Sequence, residues 1–154
     1  MKSDNLILFD AGLFIGALLK GDKRHSEAYP IVESARNGFL TACTTVSILS
    51  EVYAALTWIK AQPPQKPAEA ASAIRILIEP PSEIMVLEDG FRASLKMLEL
   101  AEKHNLTARR IHDARHAATA LASNITNVFT YDINDWRIFS SDGIIISGPP
   151  TVLY

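Results

Sequence analysis

One cysteine in 154 residues, Cys43, leaves no partner for an intramolecular disulfide, as expected of a protein kept in a reducing cytoplasm. Its neighbours Ala42 and Thr44 mark it as a small packed side chain rather than a reactive thiol. No apolar run approaches the roughly 20 residues of a membrane helix, so no membrane location is expected. The opening Met1-Lys2-Ser3-Asp4-Asn5 leads into a strand-like run without the apolar stretch and cleavage site of a secretory signal. An excess of basic charge is missing too. The formal net charge of −2 argues against a protein that coats nucleic acid by bulk charge, but not against one with a local basic rim. Lys20, Lys23 and Arg24 in one stretch, and Arg109, Arg110 and Arg115 in another, are the candidates for such a rim. Taken singly, each reads equally as a solvated surface charge.

Four acidic residues stand out against this background. Asp10 closes the apolar run Leu6-Ile7-Leu8-Phe9, and Asp132 follows Asn127-Val128-Phe129-Thr130. Glu51 and Asp113 lie among apolar residues at helical spacing, in Val46-Ser47-Ile48-Leu49-Ser50-Glu51-Val52 and Ile111-His112-Asp113-Ala114. A carboxylate drawn out of water is costly unless it is compensated. Four that converge repel one another until a cation neutralises them. A divalent metal is therefore the natural partner, and phosphodiester hydrolysis the natural chemistry. Each acid also has an ordinary reading as a cap, turn or surface residue, and Asp113, near a helix start, gains from the helix dipole in any case.

Strand-like runs alternate with helical patterns, which predicts an α/β fold with a parallel sheet. The expected strands are Leu6 to Asp10, Phe39 to Cys43, Ile84 to Leu87, Val128 to Tyr131 and Ile144 to Ile146. Leu13, Phe14, Ala17 and Leu18 form a helical apolar face, and Arg24 to Asn37 reads as a helix closed by Gly38 at C′. Thr44 or Thr45 can cap a long helix with inward face Ile48, Leu49, Val52, Ala55, Leu56 and Ile59. Pro67 suits the first turn of the next helix, through Ile78. Phe91 to His104 and Ile111 to Ala122 read as two more. Neither a repeat nor a second domain is visible, so residues 1–154 are expected to form a single domain. In open parallel sheets ligands bind beyond the carboxyl ends of the strands. Asp10 and Asp132 fall at or just past such ends.

The chain resembles the PIN-domain nucleases, and among them the VapC-type toxins of type II toxin–antitoxin pairs. The carriers are Leu6-Ile7-Leu8-Phe9-Asp10 with His25 and Ala28 downstream, and Thr44-Thr45-Val46-Ser47-Ile48-Leu49-Ser50-Glu51-Val52-Tyr53-Ala54-Ala55-Leu56. To these are added His112-Asp113-Ala114-Arg115-His116-Ala117-Ala118-Thr119-Ala120 and Val128-Phe129-Thr130-Tyr131-Asp132-Ile133-Asn134-Asp135-Trp136. Each motif alone is weak, and four in order over nearly the full length are fairly specific. The resemblance implies a three-layer α/β/α fold around a parallel sheet of about five short strands. It also implies a metal-dependent endoribonuclease that hydrolyses RNA phosphodiester bonds, with tRNA or another structured RNA as substrate. A cognate antitoxin as inhibitor, a homodimer and a cytoplasmic location complete the expectation.

Under that resemblance Asp10, Glu51, Asp113 and Asp132 hold one or two Mg²⁺ or Mn²⁺ ions, hard cations that prefer oxygen. Direct ligation falls first to Asp10 and Asp113, then to Asp132, with Glu51 acting through a water or placing the nucleophile. Asp135 is assigned a peripheral role, and Arg115 a contact to RNA phosphate. His116 could bond a backbone group or a phosphate. Trp58 and Trp136 are expected to pack rather than to stack on bases. One departure matters: Ala11 and Gly12 follow Asp10, where the family commonly carries Thr or Ser, then Asn or Ser. Thr130 is left to supply the missing hydroxyl. That departure keeps open a second reading, a PIN-domain protein that binds RNA or a partner without cleaving. A receiver-type phosphoacceptor lacks its late lysine here, since none follows Ile146. A haloacid-dehalogenase phosphatase needs an acid where Gly12 stands.

Overall fold

The computed structural model describes residues 5–153. Its five strands are β1 (Ile7–Phe9), β2 (Ala42–Thr45), β3 (Met85–Leu87), β4 (Asn127–Phe129) and β5 (Ile145–Gly148), in the order β3-β2-β1-β4-β5. Every neighbouring pair is parallel, so each connection must cross back along the sheet. Helices make the first three crossings. Helices α1 (Ala11–Leu18) and α2 (His25–Arg36) join β1 to β2, and α3 (Val46–Thr57) and α4 (Pro67–Ile78) join β2 to β3. Then α5 (Phe91–Lys103) and α6 (Ile111–Ala122) join β3 to β4, and the short α7 (Ile133–Trp136) follows β4. Right-handed crossovers, reversed in direction between β3 and β4, put α1 to α4 on one face and α5 with α6 on the other. The packing agrees, with α1 against α2 and α3, α3 against α4, and α5 against α6. This is the expected α/β/α arrangement.

The reversal has a geometric consequence. Strand β1 lies between β2 and β4, which leave it in opposite directions, so a crevice opens beyond its carboxyl end. Leu8, Phe9 and Val128 in the middle of the sheet are fully buried, with Leu13 and Phe14 of α1 and Ile48, Val52 and Leu56 of α3 also in the core. Asp10 and Thr130 leave the sheet at the crevice and are themselves buried.

Local signals explain most element ends. The Thr45 hydroxyl accepts the Ile48 N–H at 3.1 Å and caps α3. Pro67 occupies the first turn of α4, and Gly38 takes φ +80° just past α2, a conformation that favours glycine. Cys43 is buried, and burial pushes its thiol up to about 12, so it is inert as expected.

The ends of β1, β4 and β5 shift by one or two residues, and two other boundaries move for an identifiable reason. The second strand is Ala42–Thr45 rather than Phe39 to Cys43, because the Phe39 and Leu40 N–H groups still bond Ser34 O in the turn that closes α2. Phe39 is left 85% exposed. The apolar face of α3 does not reach Ile59, since the helix ends at Thr57 and Trp58 turns extended. Ile59 and Trp58 are both exposed, so Trp58 is not the packing residue the sequence suggested.

Two close arrangements tie down the second half of the fold. A Cβ on Gly148 would come 2.7 Å from the Phe129 ring, which stacks on Phe9 with centroids 5.4 Å apart. Gly148→Ala is therefore expected to lower stability by the ~1–3 kcal/mol typical of overpacking, read as a drop in Tm. Asp142 accepts from Lys103 at 2.6 Å and from His104 at 2.7 Å, tying α5 to the segment after α7. Burial raises the Asp142 pKa, but the Lys103 and His104 hydrogen bonds and charges outweigh it and hold it below its ordinary value of 3.8. A folded-state pKa below the unfolded one gives stability that is present at neutral pH and lost as pH falls through the carboxylate range. Asp142→Asn should flatten that part of the acid dependence of Tm.

Candidate active site

Asp10 is the centre of the crevice. It ends β1 and starts α1, only 4% exposed, and three donors reach its carboxylate. The Ala11 N–H donates to Oδ1 at 2.9 Å, while the Thr130 hydroxyl and the Trp136 indole N–H donate to Oδ2 at 2.7 and 3.0 Å. A carboxylate has about four lone-pair sites, so one on Oδ1 is left for a further partner. Thr130 also accepts the Asp132 N–H at 2.9 Å, so one hydroxyl fixes two of the four acids. The hydroxyl that Ala11 cannot provide thus comes from the strand beside it.

Glu51 projects from α3 and is more exposed than its apolar neighbours suggested, with about half its side-chain surface open. His116 of α6 holds it: Nε2 lies 2.6 Å from Glu51 Oε1. A carboxylate only accepts, so the imidazole donates. Burial lowers the His116 pKa, but the Glu51 hydrogen bond and the charges of Glu51, Asp10 and Asp113 outweigh it and leave it above the ordinary value. Its Nδ1 is buried without a partner among the described residues. Oxygens of Asp10 and Glu51 and a ring nitrogen of His116 all lie within 4.8 Å of one another.

Asp113 and Asp132 stand just outside this group but feel it. Burial raises the Asp113 pKa first, then the charges of Asp135 and Asp10, against Arg110 and His116. For Asp132 desolvation again leads, followed by the charges of Asp10, Asp135 and Glu51, with Arg24 opposing. The charges of Asp10 and Asp135 thus act on both, and that of Glu51 on Asp132, with Asp132 and Asp135 themselves exposed at the rim. The donor set fits a hard divalent cation. It is carboxylate oxygen throughout, it is self-repelling, and the one nitrogen nearby already donates to Glu51.

Three neighbours were not expected in these roles. His116 orients Glu51, and Trp136 packs as expected but also donates to Asp10. A polar atom on a buried face needs a partner, which is the signal both residues carried. The third is Arg24. A Cβ on Gly12 would come 2.9 Å from an Arg24 Nη and 3.3 Å from the Tyr131 ring, so the space of the family's polar side chain is filled by these two. Arg115 does not reach the acids: its guanidinium meets Asp89 at 3.3 Å, and Asp89 also accepts from Ser47 and Thr119.

Comparison with known proteins agrees with this geometry. The profile of the PIN domain matches residues 7–138. The chain belongs to the PIN domain family. Among solved structures it is similar to Mycobacterium tuberculosis VapC20, a sarcin–ricin loop cleaving toxin, with TM-score 0.67 and 19% identity over 93% of this chain and 99% of that one. It is also similar to a chain of a toxin–antitoxin complex from Klebsiella pneumoniae, with TM-score 0.60 and 16% identity over 91% and 96%. A third match is VapBC2 of Rickettsia felis bound to a DNA fragment from its promoter, with TM-score 0.61 and 18% identity over 86% and 92%. No curated protein sequence matches significantly. Identities this low carry the fold.

Thr130→Val keeps the shape of this PIN-domain side chain but removes its hydroxyl, leaving the buried Asp10 oxygen and the Asp132 N–H each short of a partner. It should lower stability by about 1–3 kcal/mol in thermal melts, while Thr130→Ser should restore most of the loss.

Proposed function

We propose that this chain is a metal-dependent endoribonuclease that acts in the cytoplasm as the toxin of a toxin–antitoxin pair. The observation that carries the reading is the buried Asp10 carboxylate, held by three donors and grouped with Glu51 at the sheet's carboxyl-end crevice. Asp113 and Asp132, outside that close group, are assigned to the same site because the Asp10 charge acts on both. Asp10, Glu51, Asp113 and Asp132 would hold Mg²⁺ or Mn²⁺. When bound, such an ion neutralises the carboxylates, acidifies a water and stabilises the departing oxygen of the phosphodiester.

The chain's own residues do the rest. Ala11, Thr130 and Trp136 aim Asp10, and His116 holds Glu51 against it. Arg24 and Tyr131 border the acids where Gly12 leaves room. The antitoxin is part of the proposal because two of the similar structures are toxin–antitoxin or VapBC complexes. A homodimer belongs to it as well: Phe91, Leu95 and Leu98 leave an exposed apolar stripe on α5 that a second copy would cover. Among the described residues no helix is long and apolar enough to cross a membrane.

The test is cleavage of structured RNA with Mg²⁺, Mn²⁺ or EDTA. Wild type should cut only with metal. Asp10→Asn should lose at least the ~10–100-fold that outer-shell partners of metal ligands alone cost. Binding of the same RNA without cleavage in any metal would favour the binding-only reading instead.

A further inference from the structure

Next to the acids the structure has a cavity of about 750 Å³ that catalysis does not account for. It runs from Asp132 and Tyr131 past Arg24 to Trp58 at the end of α3, with Ile15 of α1 and Leu19 just after it in its wall. A cavity this size lies within the range of small-ligand sites. Three features give it a chemical character. Trp58 is 57% exposed, an apolar ring left in water beside the cavity. Lys60 Nζ lies 5.8 Å from the Trp58 ring, and the Arg24 guanidinium 5.4 Å from the Tyr131 ring, so each aromatic carries a cation. Among the described residues neither Lys23 nor Lys60 pairs with a carboxylate, whereas Arg24 is held by Asp22 at 2.8 Å.

We infer that this cavity is the subsite for an unpaired nucleotide next to the scissile phosphate of RNA, with its base stacked on Trp58. Every nucleobase has a π face, and exposed aromatics interleaved with lysines are the usual platform for single strands. Asp22 and Asp132 line the cavity as well as Lys23, Arg24 and Lys60, but Asp22 is taken up by Arg24. Lys23 and Lys60 are therefore the cations left to meet phosphates, and two such lysines beside an exposed indole favour a nucleotide over an apolar peptide. Asp132 in the same wall joins the subsite to the metal-binding acids. The role rests on the ribonuclease reading, but binding at Trp58 needs neither metal nor turnover.

The test is therefore binding in EDTA. A labelled oligoadenylate is titrated against wild type, Trp58→Ala, Trp58→Phe and Lys60→Gln, with the duplex of the same length as comparison. Trp58 is exposed and Trp136 buried, so quenching of indole fluorescence on binding should come from Trp58 and vanish in Trp58→Phe. Trp58→Ala should raise Kd for the single strand about tenfold or more. Lys60→Gln should raise it less and flatten its salt dependence. The duplex should bind more weakly and be indifferent to Trp58→Ala. Absence of single-strand binding to wild type, or equal affinity in wild type and Trp58→Ala, overturns the subsite, and equal affinity would return the groove to a protein partner. Cleavage in Mn²⁺ with equal affinities removes this inference alone, whereas Trp58-dependent binding without cleavage in any metal removes the nuclease reading alone.

Discussion

The carboxylate of Asp10 is buried at the one point of the sheet where the chain reverses direction, and the rest of the site follows from keeping it there. A buried charge without partners would be expelled or protonated. Here the Ala11 N–H at the start of α1, and the Thr130 hydroxyl and Trp136 indole N–H from the segment after β4, converge on it. The last two place Asp132 and Asp135 nearby as well, because all four residues belong to the short stretch Thr130 to Trp136. Glu51 and Asp113 are brought in by helices whose other faces are committed to the core. Repulsion among the acids is the unspent part of this arrangement, and it is what a cation would relieve.

Much of this was legible in the sequence, for physical reasons that can be named. A parallel sheet flanked by helices follows from alternating β and α patterns, and the places of Asp10 and Asp132 at strand ends follow from their position after apolar runs. The strand order itself was not legible. Gly38 and Pro67 behaved as chain chemistry requires. What could not be read were contacts between residues far apart in sequence. His116 to Glu51 spans 65 positions and Trp136 to Asp10 spans 126, and no local pattern encodes either. The second strand was misplaced because Phe39 looks like a strand residue, while the turn closing α2 overrides its propensity.

Gly12 shows how a departure from a family pattern can be a compensation rather than a loss. The missing polar side chain there leaves room for Arg24 and Tyr131, and Arg24 is the cation that opposes the raised pKa of Asp132. The hydroxyl missing at Ala11 is supplied by Thr130. The acids are therefore supported by a different set of neighbours, not left unsupported. Arg115, expected to contact RNA phosphate, pairs with Asp89 and keeps an exposed side chain.

The central claim is that these carboxylates are assembled against their own repulsion to receive a divalent cation. Thermal melts of wild type and Asp113→Asn across a Mn²⁺ titration test it without any RNA. Because Asp113 is raised in the folded state by burial and by the Asp135 and Asp10 charges, its ionised form opposes folding at neutral pH. Asp113→Asn should therefore melt no lower than wild type in EDTA. Wild type should then gain Tm saturably with Mn²⁺, and the variant should lose most of that gain. No Mn²⁺-dependent rise in wild type, or the same rise in both proteins, would contradict the account.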